Sequence, residues 1–211
     1  MSCAICHTRR PRRACPGIHA DICAVCCGAA REVTVSCPYH CEYLREARKH
    51  EPAAEFDDSV LGNPNIPVTE EFLDGHAGLL LAANIALVEA AGENGALDSD
   101  VREALASLIQ TYRVLGSGVI YEGLPTNPIA AHVHRGFQNG LAEFRRQETR
   151  ELGMTKTRDK DVLSVLVFFE RLTLLHNNGR PRCRAFLDLL RSLQPEAPPD
   201  LDIAPSSLIL P

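Results

Sequence analysis

The stretch CAICHTRRPRRACPGIHADICAVCCGAAREVTVSCPYHC, Cys3 to Cys41, holds eight of the nine cysteines of a 211-residue chain, with Cys183 alone far downstream. The spacing runs Cys-x2-Cys, eight residues, Cys, seven residues, Cys-x2-Cys-Cys, nine residues, Cys-x3-Cys. A two-residue gap lets two thiolates of one tight turn reach the same cation, because the turn's amides face the sulfurs and the side chains converge. Eight sulfurs match two tetrahedral sites of four. Hydrophobic burial alone is too small to hold this segment. Outside the cysteines its larger apolar residues are Ile5, Ile18, Ile22, Val25, Val33, Val35, Tyr39, Tyr43 and Leu44, and chains below about 40 residues rarely fold on so little. A structural zinc contributes roughly 10–16 kcal/mol of apparent binding free energy coupled to folding, so two ions would dominate the segment's stability. The competing uses of such a thiolate set are an iron–sulfur cluster and redox or disulfide pairing, for which the adjacent Cys26 and Cys27 are candidates. His7, His19 and His40 are expected outside the ligand set, since sulfur already suffices.

This spacing resembles the cross-braced double-zinc modules, treble-clef-like units of the HIT, MYND and B-box type. Their pattern implies that Cys3, Cys6, Cys23 and Cys26 share one ion, and that Cys15, Cys37 and Cys41 supply most of a second site. The chain departs from the pattern in having no cysteine shortly after Cys15. The fourth ligand therefore falls to Cys27, which makes both sites all-thiolate, or to His19, with Asp21 next; Cys27 is favoured. The resemblance covers residues 3–41 and implies a protein-contact role, with nucleic-acid binding in some members.

Between Cys6 and Cys15 lies HTRRPRRA. Pro11 prevents a regular helix there, so Arg9, Arg10, Arg12 and Arg13 are expected to fan out from a loop pinned at both ends, as a contact for phosphate or an acidic partner or as a solvated knuckle. No aromatic residue interleaves with them, which removes the stacking platform of single-strand binders. Val33 and Val35 alternate like a short strand, and CEYLREARKHE after Cys41 reads as a helix closing the module.

Charge divides the chain. Residues 1–50 hold eight Lys/Arg against four acids, a net of +4, while the whole chain carries 22 basic and 27 acidic residues, a net of −5, leaving −9 for the remainder. That balance argues against a general nucleic-acid-coating or membrane-surface protein. The chain opens MSCAICHTRRPRRACPG, with Cys and Arg where a leader's apolar region would lie. The most apolar run, Gly78 to Ala91, is interrupted by Asn84 and Glu89 and is too short to span a bilayer. A cytoplasmic location without membrane insertion is expected.

Residues 51–67, EPAAEFDDSVLGNPNIP, are acidic and proline-rich and read as a linker. A helix capped by Thr69 should run to Gly92. A second starts near Asp98 with Val101, Leu105, Leu108, Tyr112 and Leu115 on one face. Asn127 and Pro128 open a third, striped by Ile129, Val133, Phe137, Leu141 and Phe144. Asp161 to His176, apolar almost all round from Val162 to Phe169, should be the most buried helix, stopped by Asn177-Asn178-Gly179. Pro181 is expected to open a last helix bearing Phe186, Leu187, Leu190 and Leu193. The expected fold is mainly α: a Cys-rich zinc module over 1–50, a linker over 51–67, a bundle of four to five helices over 68–194, and a disordered proline-rich tail over 195–211. Leu208, Ile209 and Leu210 in that tail read as a docking peptide or a frayed end.

No chemistry-bearing motif marks the bundle. Glu-x2-His pairs are absent, His132 and His134 lie on different helix faces, and Cys183 reads as a packed thiol. Tyr121-Glu122, in the glycine- and proline-framed connector 116–128, is the one candidate binding edge. No phosphate loop, nucleophile elbow or His-Glu-x2-His segment occurs. The expected function is that of a non-enzymatic, zinc-binding interaction or adaptor protein with a protein partner. The alternatives are a nucleic-acid-associated factor using Arg9 to Arg13, and a thiol-based redox or metal sensor.

Overall fold

The computed structural model describes residues 1–51, 62–116 and 123–195. Most of the linker, the Tyr121-Glu122 connector and the tail with Leu208 to Leu210 lie outside the described residues. The architecture is mainly helical, with a small cysteine-rich hairpin unit ahead of the helical packing.

In the amino-terminal unit, β1 (Arg13–Cys15) pairs antiparallel with β2 (Ala20–Ile22), with Arg13 opposite Ile22 and Cys15 opposite Ala20. The turn between them needs a glycine at Gly17: a Cβ there would sit 2.7 Å from the Ser36 carbonyl oxygen, so the Val35–Ser36 strap can lie on the hairpin only if that side chain is missing. Helix α1 (Ala24–Ala30) starts directly after β2, with Cys23 as its cap. Helix α2 (Glu42–Arg48) follows Cys41, as its sequence predicts. The strand expected at Val33 and Val35 is instead a tight turn. The amides of Val33, Thr34 and Val35 all converge on the Ala30 carbonyl at 3.0–3.1 Å, leaving only an isolated bridge between Arg31 and Val35. No neighbouring edge offers this segment a ladder, so its alternation buries Val35 and leaves Val33 exposed.

The helical part consists of α3 (Glu70–Gly75), α4 (Ala77–Glu93), α5 (Asp98–Gly116), α6 (Pro128–Leu152), α7 (Asp159–Leu175) and α8 (Ala185–Ser192). The single helix expected from Thr69 to Gly92 is broken at His76, whose ring Nδ1 bonds the Phe72 carbonyl and stacks on the Phe72 ring at 4.2 Å. Thr69 still caps α3, its hydroxyl accepting from the Phe72 amide. The other starts behave as their residues dictate. Asn127 Oδ1 accepts from the Ile129 amide at 2.9 Å while its amide nitrogen bonds Asp100 at 2.7 Å, satisfying helix-end groups that would otherwise be orphaned.

Helix α4 packs on α6, and α5 on both α6 and α7. The α5 face of Val101, Leu105, Leu108 and Tyr112 is buried, with Leu115 only partly covered. The α6 stripe buries Val133, Phe137 and Leu141 between the partly covered Ile129 and Phe144. Helix α7 buries Val162, Val165, Leu166, Val167 and Phe169, as its near-continuous apolar run predicts. Helix α8 closes one end with Phe186, Leu187 and Leu190; it starts at Ala185 and not at Pro181, because the Arg182 and Arg184 amides are bonded to Glu32 and the Cys183 carbonyl accepts from the Asp98 amide. Its first turn is held from a distance: Asp98 accepts from the amides of Phe186 and Leu187 at 3.0 and 3.1 Å.

The amino-terminal unit joins the bundle through Glu32. This carboxylate is completely buried and sits on a backbone with φ of 53°. It accepts from Arg48 Nη2 at 2.8 Å, Asn178 Nδ2 at 2.9 Å and the Arg184 amide at 3.3 Å, and its carbonyl accepts from the Arg182 amide at 2.8 Å. Arg48 also pairs with Asp188 of α8. A buried carboxylate is tolerated only when its oxygens are paired and bonded, and here donors from both parts of the chain meet that condition.

Candidate metal centre

Two knuckles bring four sulfurs together. The first is the turn Cys3–Cys6, pinned by the Cys3 amide on the Arg9 carbonyl at 2.9 Å, the Ala4 amide on the Asp21 carbonyl at 3.0 Å and the His7 amide on the Cys3 carbonyl at 2.8 Å. The second is the β2–α1 junction, where Cys23 caps the helix and Cys26 lies one turn on. Amides point at the sulfurs: that of Cys23 donates to Cys3 Sγ at 3.2 Å, and that of Cys26 to Cys23 Sγ at 3.4 Å. The Thr8 hydroxyl donates to Cys6 Sγ at 3.4 Å. The sulfurs of Cys3, Cys6, Cys23 and Cys26 all lie within 4.8 Å of one another, with Cys6 half-buried and the others buried. A tetrahedron with zinc–sulfur bonds of about 2.3 Å has edges of about 3.8 Å, so this cluster can close on one ion with small side-chain adjustments. None of the cysteines is in a disulfide.

The electrostatics suit a cation. The Thr8 hydroxyl and amide and the Arg9 amide hold the Cys6 thiol down to about 5. Burial raises Cys3, but the amides of Cys6, Cys23 and Ile5 outweigh it and bring that thiol below its ordinary value. Cys26, facing the Cys23 thiol, is pushed up to about 12. Four thiols this close cannot all ionise alone, because each new negative charge raises the cost of the next. A divalent metal lifts that restriction.

The other four cysteines of the segment are also gathered. Cys15 at the end of β1, Cys27 in α1, and Cys37 and Cys41 before α2 line one small cavity with Ile22, Tyr43 and Leu44, and all four are buried. Burial pushes the Cys37 thiol up, with the neighbouring Cys41 and Cys15 adding to the rise. Among the described residues, only the first set has its sulfurs mutually within 4.8 Å. His19 sits elsewhere, exposed on the hairpin turn with φ of 51°, while Cys27 faces the cavity with Cys15, Cys37 and Cys41.

The arginine knuckle does not fan out uniformly. Arg13 Nη1 donates to Cys27 Sγ at 3.3 Å, and its guanidinium lies over the Tyr43 ring at 4.6 Å. The Cys23 thiol beside Arg9 raises its pKa above the ordinary guanidinium value, yet Arg9, Arg10 and Arg12 are all exposed. Pro11 excludes helix here, and of the four arginines only Arg13 is drawn inward to a sulfur.

Away from the cysteines, His132 pairs with Glu93 across the α4–α6 surface at 2.6 Å, and His134 is fully buried. Cys183 is buried, its thiol pushed up to about 11 by desolvation, in line with a packed role. Glu32 was not marked by the sequence. Its only signal was an isolated acid in the spacer between Cys27 and Cys37, in a segment read there as a strand.

Among the described residues no helix is long and apolar enough to cross a membrane. Comparison with known proteins finds no matching family model, no matching curated protein and no matching solved structure.

Proposed function

We propose that the chain is a non-enzymatic, zinc-binding interaction protein of a reducing, cytoplasmic compartment, with two structural ions. One is held by Cys3, Cys6, Cys23 and Cys26, the other by Cys15, Cys27, Cys37 and Cys41. The observation that carries this reading is the convergence of four thiols from two knuckles, three of them buried, with amides aimed at their sulfurs. Zinc favours such a closed all-sulfur set as a structural ion, since no coordination position stays open for a substrate. The second site rests on the shared cavity of the remaining four cysteines.

The interaction role draws on what the module leaves outside. Ile5, Ile18, Val25 and Val33 are all more than a third exposed, and Ile5 and Val25 occupy the third position of the two Cys-x2-Cys turns. A unit stabilised by metal does not need these side chains in its core, which leaves them free for a protein partner. Affinity capture with the zinc-loaded chain beside an Ile5→Asp, Val25→Asp variant tests this. A protein retained by the first, lost by the second and insensitive to added salt is expected. Retention of nucleic acid that falls steeply with salt would replace the reading with a nucleic-acid one. Reversible zinc loss under mild peroxide would replace it with a redox sensor.

A further inference from the structure

The tetrathiolate sites carry a charge problem that the arginine knuckle is placed to solve. Four thiolates around one divalent ion leave a net charge of −2, and here the sulfurs are mostly buried, where water cannot screen that charge fully. We propose that Arg13 is the charge-compensating partner of the cluster of Cys15, Cys27, Cys37 and Cys41, and that it sets how firmly that cluster holds its metal. The inference rests on the zinc reading above.

The geometry assigns Arg13 to the cluster of Cys15, Cys27, Cys37 and Cys41. Its Nη1 donates to Cys27 Sγ at 3.3 Å, its guanidinium is steadied over Tyr43, and it lines the cavity those cysteines share. Its place in β1, opposite Ile22 and two residues before Cys15, fixes the root of the side chain. Arg9, Arg10 and Arg12 are exposed, so the four arginines divide into one that serves a cysteine cluster and three that face outward.

A guanidinium donating to a bound thiolate withdraws charge from the sulfur, lowers its nucleophilicity and brings the site from −2 toward −1. Groups that bond metal ligands from outside the coordination shell commonly change metal affinity by roughly 10–100-fold when removed. Arg13 acts through the cysteines and is a positioning residue.

The test uses the full zinc-loaded chain. Zinc transfer to a chromophoric chelator is followed for Arg13→Gln and Arg13→Lys, with Arg9→Gln, Arg10→Gln and Arg12→Gln as controls, and the thiols that open first are identified by alkylation and peptide mapping. Cobalt-substituted protein supplies the thiolate-to-metal charge-transfer band. Arg13→Gln is expected to speed loss of one ion by roughly 10-fold and to expose Cys37 and Cys41 first. It should shift the charge-transfer band, and Arg13→Lys should recover much of the wild-type rate because the charge is kept. The proposal is overturned if Arg13→Gln releases zinc like the three controls, if Lys is no better than Gln, or if the cluster of Cys3, Cys6, Cys23 and Cys26 opens first. If Arg13→Gln alters the helical circular dichroism, Arg13→Lys decides by rate and band position. Wild-type chain that takes up no zinc or cobalt would defeat the zinc-binding function itself, an outcome distinct from a wild type that binds both ions beside an unaffected Arg13→Gln.

Discussion

Replacing Glu32 probes the contact on which the two parts of the molecule depend. In Glu32→Ala, Arg48 Nη2, Asn178 Nδ2 and the Arg184 amide lose their acceptor in a spot with no solvent access. Removing one partner of a buried ion pair costs about 3–5 kcal/mol. The lower end applies here, because Arg48 keeps Asp188 and is itself 19% exposed. A loss of about 3 kcal/mol corresponds to a fall in Tm of roughly 6–12 °C for a chain of this size. Glu32→Gln should lie between, since one oxygen still accepts but an amide N–H₂ now faces donors. Glu32→Gly should be more stable than Glu32→Ala by about 1 kcal/mol, because glycine adopts the left-handed backbone of φ 53° without strain. Urea unfolding of the metal-loaded proteins, followed by far-ultraviolet circular dichroism, measures all three. An Ala variant within about 0.5 kcal/mol of wild type, the range of an ordinary surface substitution, would refute the reasoning.

Three further outcomes follow from the bundle. A Cβ on Gly136 would lie 2.4 Å from that of Ala90, so Gly136→Ala should destabilise by about 1–2 kcal/mol despite alanine's higher helix propensity. Adding Ala90→Gly should recover part of that loss, and purely additive effects in the double-mutant cycle would contradict the packing account. Burial raises the Asp98 carboxyl above its ordinary 3.8, against the amides of Phe186 and Leu187. The folded state thus binds that proton more tightly than the unfolded one, and the associated stability is full below 3.8 and lost as pH rises through the raised folded value. Asp98→Asn should therefore gain on wild type as pH rises from about 4 through that raised value; a difference in unfolding midpoint that does not change as the pH is raised would count against the assignment. Cys183, pushed up to about 11, should resist alkylation at pH 8 in the native protein and react promptly in urea, which peptide mapping reads directly.

The residues that make local structure were readable, and those that act over long separations were not. Cys-x2-Cys at Cys3 and at Cys23 each forms a turn within itself, so spacing marked both pairs as chelating, and it was the resemblance to cross-braced modules that joined them into one cluster of four. The stripe from Val101 to Tyr112 and the Asn127-Pro128 start likewise express their own helix period. Glu32 differs because its partners Asn178 and Arg184 lie 146 and 152 residues away, and nothing in its neighbours encodes them. Arg13 reads like Arg9, Arg10 and Arg12, since only the folded hairpin shows which guanidinium faces sulfur. Three-residue strands such as β1 are too short to display a period of two, and Val33 with Val35 displayed one without an edge to pair with. The break at His76 depends on the ring's bond to the Phe72 carbonyl, which competes with continuing the helix and has no compositional mark.

In the proposed arrangement the eight cysteines between Cys3 and Cys41 hold two structural ions. Zinc content per chain, measured by elemental analysis on protein purified without added metal, tests it most directly when the reactive thiols are counted before and after chelation. Two zinc ions per chain are expected, with all eight thiols of the segment protected until the chelator is added and the amino-terminal fold lost with the metal. One zinc with Cys15, Cys27, Cys37 and Cys41 freely reactive would contradict the second site. Iron with visible absorption, or no metal beside eight reactive thiols, would contradict the account as a whole.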